Sequence, residues 1–353
     1  MKILHVITSL EIGGTQRLLS DLLPLQAKTE NVSLLVYERV DNYFERKIVG
    51  AGVKILTLNE HNFHNPGVII KMRKIFKDYD VVHSHLFPTI WWASLAARGL
   101  NVKMVYTEHS TSNSRRGKWY LRPIEQFMYD RYDKIISISK QTQDALCSWL
   151  KSKDERFVVI CNGVDTARFA SVKRPVIPKS LIMVSRFASS KDQETVIKAM
   201  KQIDTEATLR FVGDGENLEH CKRVAEELGL SDRVQFLGAR SDVAELVAES
   251  YIGIQSSNWE GFGLTAVEIM ACGKPVVASN VEGLMQVVKN AGEIFKKGCA
   301  EELSKCVNLL LNDEIYYKKV SIRCIKRAKE FDINKMADEY ELVYIGLLKN
   351  NRI

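Results

Sequence analysis

The sequence alternates short runs rich in valine and isoleucine with longer amphipathic segments along most of its length. Strands of a parallel sheet are buried on both faces and appear as short apolar runs, and amphipathic segments between them are typical of crossover helices. The pattern therefore predicts an α/β fold. The predicted strands are Lys2–Ile7, Ser33–Tyr37, Lys54–Leu58, Val81–Ser84, Met104–Glu108, Lys134–Ser139, Phe157–Cys161, Ser180–Ser185, Ala207–Gly213, Val234–Gly238, Ile252–Gln255, Pro275–Ser279 and Ala291–Phe295.

The strands form two groups, so we expect two doubly wound, Rossmann-like parallel-sheet domains facing a central cleft, at residues 1–169 and 180–332. A length of 353 residues suits two domains. Residues 170–179 contain two prolines, which favour extended backbone, and are predicted to be the linker. Apolar residues recur at helical spacing within residues 333–353, which predicts a C-terminal helix packing back toward the N-terminal domain.

Several classes of protein are disfavoured by the sequence. No apolar run approaches the roughly 18 residues that a spanning helix needs, and the N-terminus has the pattern of a strand rather than of a signal peptide. The seven cysteines are scattered without a C-x-x-C pair, so neither a zinc site nor a disulfide framework is indicated. We therefore expect a cytoplasmic protein.

The positive charge lies mainly in the first half. Residues 1–165 hold 23 Lys and Arg against 17 Asp and Glu, whereas the remainder is nearly balanced at 27 against 26. The segment from Ser114 to Arg122 interleaves four cations with two aromatic residues. Such a segment suits an anionic membrane surface, and equally a phosphate-bearing acceptor, single-stranded nucleic acid or a solvated loop. We expect the membrane surface as a partner and no nucleic acid.

Ligands of open α/β sheets bind at the carboxyl ends of the strands, so the residues that follow each strand are the candidates. Gly13 and Gly14 follow the first strand, without the G-x-G-x-x-G spacing of dinucleotide-binding proteins. His83 and His85 end the fourth strand and could chelate a metal, but no further ligand completes a site, and we expect none. His109, after the fifth strand, is a candidate hydrogen-bonding partner for a polar substrate.

The second half offers charged residues at equivalent positions. Arg186 and Lys191 follow the first strand of this half and could hold a diphosphate without a metal. Gly213 permits a tight turn at the same edge. Glu260 lies on a glycine-rich loop, and Glu268 lies in the following helix, where Thr265-x-x-Glu268 could instead be a capping box.

A pair of carboxylates such as Glu260 and Glu268 is also typical of glycosidases. A glycosidase, however, has no diphosphate leaving group for Arg186 and Lys191 to bind. Cations together with carboxylates indicate a ligand that carries both a diphosphate and hydroxyl groups, namely a nucleotide sugar.

These residues resemble the retaining glycosyltransferases of the family 4, or group 1, type, which have the two-domain GT-B fold. The resemblance covers nearly the whole chain. Its most specific parts are Glu260-Gly-Phe-Gly-Leu-x3-Glu268, which is similar to the E-x7-E motif, and the segment Ala271-Cys-Gly-Lys-Pro-Val-Val-Ala278.

The resemblance implies a metal-independent enzyme with its donor site mostly on the second domain. Arg186 and Lys191 would bind the diphosphate, Glu268 the ribose and Glu260 the transferred sugar. The other implied donor-site residues are Gly13, Gly14, Gly213, Gly261, Phe262, Gly263 and Leu264, the last three through backbone N–H groups. His109 would contact the sugar and share the catalytic site with Glu260, Arg186 and Lys191.

We therefore expect transfer of a sugar from a nucleoside diphosphate sugar, with UDP-sugars favoured, to a saccharide or lipid-linked saccharide in cell-surface polysaccharide synthesis. Two alternatives share the fold. A nucleotide-sugar 2-epimerase would turn over donor without an acceptor, and a catalytically silent partner subunit would be free to lose the charged residues.

Overall fold

A computed structural model of the chain describes residues 1–11, 13–111, 113 and 115–349. The chain divides into two compact units. The first runs from Met1 to Gly163 and includes the segment that begins at Ile333; the second is Val164–Asp332. Each unit is built around its own parallel sheet.

Over the described residues, the first unit holds a seven-stranded parallel sheet in the order β3-β2-β1-β4-β5-β6-β7. Its strands are β1 (Lys2–Val6), β2 (Asn31–Val36), β3 (Lys54–Thr57), β4 (Val81–His85), β5 (Lys103–Glu108), β6 (Lys134–Ser137) and β7 (Phe157–Val159). The helices between them are α1 (Gly14–Gln26), α2 (Tyr43–Gly50), α3 (Val68–Phe76), α4 (Thr89–Ala96), α5 (Arg122–Tyr129) and α6 (Lys140–Leu150). A short 3₁₀ turn, Trp119–Leu121, precedes α5.

The second unit holds a six-stranded parallel sheet in the order β10-β9-β8-β11-β12-β13, counted over its described residues. Its strands are β8 (Ser180–Val184), β9 (Thr208–Val212), β10 (Val234–Phe236), β11 (Ile252–Gln255), β12 (Val276–Ser279) and β13 (Glu293–Phe295). Its helices are α7 (Thr166–Ser171), α8 (Gln193–Ala199), α9 (Leu218–Glu227), α10 (Val243–Glu249), α11 (Leu264–Ala271), α12 (Glu282–Val288), α13 (Ala300–Asn312) and α14 (Glu314–Ala328). The predicted two-sheet, Rossmann-like fold is confirmed.

The C-terminal helix α15 (Ile333–Lys349) belongs to the first unit, where it packs beside α1. Because side chains alternate between the faces of a strand, successive residues of β1 enter different layers. Ile3 lies in the cluster that contains Tyr340 and Tyr344 of α15, whereas Leu4 lies in the cluster on the opposite face. The first sheet is therefore covered on both sides.

The boundary between the units differs from the predicted end of the first domain at residue 169. The first unit ends at Gly163, and α7 belongs to the second unit, where it packs against α11. Phe169 of α7 is buried, and its carbonyl lies 3.5 Å from the Cys272 thiol. The two prolines of the linker lie after α7 and before β8, so they marked the end of this helix rather than the boundary between the compact units.

Within the described part of the chain, no helix combines the length and apolar character that crossing a bilayer requires.

Candidate active site

The strand order of the second sheet reverses between β8 and β11. These strands are neighbours, with Ile252 paired to Leu181, while the chain continues to β9 and β10 on one side and to β12 and β13 on the other. The loops after two such strands diverge to opposite faces and leave a crevice at the carboxyl edge, where open α/β sheets bind ligands. The predicted charged residues follow these two strands.

Hydrogen bonds tie the loop after β8 to the loop after β11. The backbone N–H of Asn258 donates to the Ser190 carbonyl at 2.8 Å, and the Asn258 side-chain amide donates to the Ser189 carbonyl at 3.0 Å. Lys191 and Ser257 also form an isolated antiparallel bridge. Asn258 was missed by the sequence analysis, although it lies three residues beyond the end of β11, and a position after a strand end is the signal that identified the other candidates.

Lys191 and Glu260 form an ion pair with each other. The Lys191 ammonium donates to the Glu260 carboxylate, and it lies 3.3 Å from the Ser257 hydroxyl. The two side chains are only 17% and 21% exposed, so the pair is partly shielded from water. The structure thus brings together the lysine expected to bind phosphate and the carboxylate expected to bind sugar.

Arg186 is the exposed member of the group. Its side chain is 74% accessible, and its guanidinium lies 3.9 Å from the Glu216 carboxylate. Its backbone is held by the side-chain amide of Gln193, which donates to the Arg186 carbonyl at 3.0 Å. A guanidinium on a fixed backbone in this environment can reorient toward an anion at low cost.

Helix α11 begins beside Glu260 without a side-chain cap. Its N-cap residue is Gly263, whose φ of +93° is in the region that favours glycine. The first N–H groups of a helix have no partner within the helix and attract anions. The Leu264 N–H is therefore well placed for a ligand, whereas Phe262 has a buried ring against Phe331, with ring centroids 5.3 Å apart.

The expected capping box is not formed. The helix begins at Leu264, so Thr265 lies inside it and Glu268 is its fifth residue rather than an acidic residue of the first turn. Glu268 is buried, and Thr265 is too far along the helix to cap it. Removing the capping role leaves the ribose-binding role as the remaining prediction for Glu268.

Gly213 lies at the expected edge, after β9, but its N–H already donates to the Gly238 carbonyl at 2.8 Å. Gly283 was not predicted as a site residue, yet it positions the site. A Cβ at Gly283 would lie 2.1 Å from the Glu260 carbonyl oxygen, so only glycine lets α12 approach this loop. On the same side, the Gln286 amide donates to the Gly261 carbonyl at 3.3 Å.

The remaining predicted residues lie in the first unit. Gly13 is the N-cap of α1, again without a side-chain cap, and Gly14 is the first residue of that helix. His109 follows β5, and its Nε2 lies 3.1 Å from Nδ1 of His85. Burial lowers the pKa of His109 to about 3, so its imidazole is neutral at physiological pH.

Two arginines of the basic segment before α5 are engaged in ion pairs with buried carboxylates. Arg115 donates to the Glu125 carboxylate at 2.5 Å, and Arg116 donates to the Glu108 carboxylate at 2.8 Å. Both carboxylates are buried, so these arginines neutralise interior charge and do not form a free cationic surface. Ser114, in the same predicted segment, lies outside the described residues.

Comparison with known proteins identifies the family. A model described as "Glycosyl transferases group 1" matches residues 165–331, and one described as "Glycosyltransferase Family 4" matches residues 12–168. The chain is 27% identical to N-acetyl-alpha-D-glucosaminyl L-malate synthase of Bacillus anthracis over 78% of this chain and 77% of that protein. It is 24% identical to an Escherichia coli UDP-Gal:alpha-D-GlcNAc-diphosphoundecaprenol alpha-1,3-galactosyltransferase over 99% of this chain and 98% of that protein.

Among solved structures, Anabaena HepE in complex with UDP and glucose has the same fold, with a TM-score of 0.85, 22% identity, and coverage of 97% of this chain and 99% of that one. This likeness agrees with the GT-B arrangement that the family resemblance implied. The two family models together span residues 12–331, and the chain therefore belongs to the group 1 glycosyltransferases.

Proposed function

We propose that this chain is a retaining glycosyltransferase that uses a nucleoside diphosphate sugar, preferably a UDP-sugar. The acceptor is a hydroxyl of a saccharide or lipid-linked saccharide in cell-surface polysaccharide synthesis. The observation that carries the proposal is the Lys191–Glu260 pair at the reversal point of the second sheet. A cation for phosphate and a carboxylate for sugar hydroxyls stand side by side there.

The names of two relatives support the donor and acceptor classes. The Escherichia coli relative is named for UDP-Gal as donor and a diphosphoundecaprenol-linked sugar as acceptor. A Campylobacter jejuni relative, 30% identical over half of this chain, is also named for a diphospho-undecaprenol substrate. These names favour a UDP-sugar and a lipid-linked acceptor for this chain.

In the proposed reaction, the bond between the anomeric carbon and the leaving phosphate oxygen breaks as the acceptor oxygen bonds to the same face of that carbon. The acceptor proton passes to the leaving phosphate. Lys191 and Arg186 stabilise the negative charge that develops on the diphosphate, with no metal required, and the start of α11 adds its N–H groups. Glu260 accepts hydrogen bonds from the sugar.

The Lys191–Glu260 pair makes a specific prediction about binding. When a diphosphate arrives, Lys191 has two anionic partners, and Glu260 is released toward the sugar hydroxyls. Replacing Glu260 with Gln removes the competing carboxylate while preserving shape. We expect Glu260→Gln to bind UDP as tightly as the wild type or more tightly, and to lose about a hundredfold in kcat because a charged partner of the reacting sugar is lost.

Glu216→Gln is the matched control, because it makes the same chemical change beside Arg186 on an exposed side chain. Calorimetry with UDP and steady-state kinetics with the donor sugar separate binding from turnover. Wild-type kcat in Glu260→Gln would remove this residue from the chemistry. Donor consumption without any acceptor would favour the 2-epimerase, and activity abolished by a chelator and restored by magnesium would contradict the metal-free reaction.

We also propose peripheral association with an anionic membrane, on the cytoplasmic side. An aromatic patch, defined as Trp119, Tyr120, Ile124 and Phe127, lies on the 3₁₀ turn and α5. Trp119 is 79% exposed, and Lys118 next to it is also exposed. Exposed aromatic and aliphatic side chains beside a cation are typical of residues that insert at a headgroup interface. We therefore expect the aromatic patch, and not Arg115 and Arg116, to contact the membrane.

A further inference from the structure

A connected group of buried histidines lies behind His109 in the first unit. β1 and β4 are adjacent, with His5 paired to His83, and the alternation of the strands places His85 on the same face. This is the face covered by α1 and α15. Three rings are thus enclosed at the end of the sheet where His109 follows β5.

Four side chains on this face form a continuous series of hydrogen bonds. The Gln26 side-chain oxygen on α1 lies 2.9 Å from Nε2 of His5. Nδ1 of His5 lies 3.0 Å from Nε2 of His85, and Nδ1 of His85 lies 3.1 Å from Nε2 of His109. The series therefore runs from the interior to the carboxyl end of β5.

The chemistry of the first member sets the direction of the whole series. In the structure the Gln26 amide is oriented with its carbonyl oxygen toward His5. A carbonyl oxygen can only accept, so with this orientation His5 carries its proton on Nε2 and has a lone pair on Nδ1. His85 must then donate from Nε2 and accept at Nδ1, which requires His109 to donate from Nε2. Each ring in turn is held in the Nε2–H tautomer.

This assignment requires neutral rings, and burial provides them. Desolvation lowers the pKa of His5 to about 4 and that of His109 to about 3, and it holds the pKa of His85 well below the ordinary value. At neutral pH each ring is therefore a neutral imidazole, with one protonated nitrogen that donates and one unprotonated nitrogen that accepts.

We propose that Gln26, His5 and His85 form a relay that fixes the tautomer of His109, so that its Nδ1 can act only as a hydrogen-bond acceptor. No partner for this nitrogen is found among the residues that the structure describes, and the side chain is partly exposed. An acceptor of fixed polarity selects a ligand hydroxyl, which can donate, over a ligand carbonyl or phosphate oxygen. His5, His85 and Gln26 are positioning residues.

His83 belongs to the same buried group but not to the relay. Its two nitrogens bond to the hydroxyls of Tyr344 at 2.6 Å and Thr107 at 2.7 Å. One nitrogen from each of His5, His83 and His85 lies within 4.8 Å of the others, a spacing that a metal ion could bridge. The described side chains already engage these nitrogens in hydrogen bonds, and a bound metal would have to displace the relay protons.

The test uses two replacements of His85 in the full chain. The Asn amide stands near the position of Nδ1 and can still pair with His109, whereas the Gln amide reaches toward the position of Nε2 and pairs with His5 instead. His83→Asn is the matched control, since it changes an equally buried histidine two residues away on the same face. All three variants are compared for thermal stability, so that a structural loss is recognised.

The first readout is NMR of protein labelled with ¹⁵N in histidine. In the wild type we expect the His109 Nε2–H resonance to show coupling across the hydrogen bond to His85 Nδ1, with Nδ1 of His109 unprotonated. His83→Asn should preserve this pattern, and His85→Gln should abolish it. A protonated Nδ1 on His109 in the wild type, loss of the pattern in His83→Asn, or stoichiometric Zn²⁺ binding that shifts all three ring signals would overturn the relay.

The second readout rests on the proposed function and uses UDP-glucose and UDP as probes. We expect His85→Gln to lower the affinity for UDP-glucose relative to UDP by about tenfold, the size of one lost hydrogen bond. His85→Asn should recover most of this ratio, and His83→Asn should leave it unchanged. Equal ratios in all variants would refute the positioning role. Failure of the wild type to bind either probe would contradict the proposed donor, while the NMR pattern would still decide the tautomer.

Discussion

Acid should destabilise the first unit selectively, because its interior holds neutral histidines. His5 is fully buried, and the groups that its ring contacts, Gln26, His83 and His85, carry no charge. The unfolded chain binds a proton at this position below about pH 6.5, whereas the folded chain does so only below about pH 4. Between these values the unfolded state holds more protons, so stability is complete above the window and falls as the pH falls through it.

The size of the effect follows from the two pKa values. At pH 5, the His5 contribution amounts to a loss of about 2 kcal/mol of unfolding free energy relative to pH 8. His83 and His85, whose pKa values burial also depresses, act in the same direction. Six of the seven histidines lie in the first unit, and only His220 lies in the second. The second unit therefore serves as an internal reference.

Hydrogen exchange measured at pH 8 and pH 5, corrected for the intrinsic rate, can follow β1 and β8 separately in one experiment. The free energy of opening of β1 should be lower at pH 5 than at pH 8 by at least about 2 kcal/mol. The free energy of opening of β8 should change much less. In His5→Asn the difference between the two pH values should shrink by about 2 kcal/mol, whereas His61→Asn, on an exposed side chain, should preserve it. An undiminished difference in His5→Asn would refute the reasoning.

Two further predictions concern the surface and the packing. Replacing Trp119 and Phe127 together with Ser should lower sedimentation with anionic vesicles by about tenfold, while Ile70→Ser, which changes an exposed apolar residue elsewhere in the first unit, should not. Equally weak binding of the wild type to neutral and anionic vesicles would exclude the membrane role. Gly283→Ala should displace the Glu260 loop, weaken UDP binding and cost about 1–3 kcal/mol of stability. Gly346→Ala, on α15 with open space around its Cβ position, should be neutral or slightly stabilising, and equal melting temperatures for the two variants would contradict this account.

Much of the fold could be predicted from the sequence because its signals are local. A buried parallel strand must be a short apolar run wherever it occurs, so the thirteen strands of the described residues were all located, with ends displaced by at most two residues. Reading the residues after each strand also identified Lys191 and Glu260, since the carboxyl edge of such sheets is where ligands bind. The family resemblance then assigned their expected roles.

The partners of these residues were decided only by the tertiary structure. Arg115 and Arg116 look like a free basic surface in the sequence, but the fold brings buried Glu125 and Glu108 against them. The relay likewise depends on β1 lying beside β4, so that His5 meets His85 across 80 positions of the chain. Periodicity fixes which face of a strand a side chain occupies, because that follows from backbone geometry alone. Which side chain stands opposite depends on strand order and register, which arise from packing of the whole sheet.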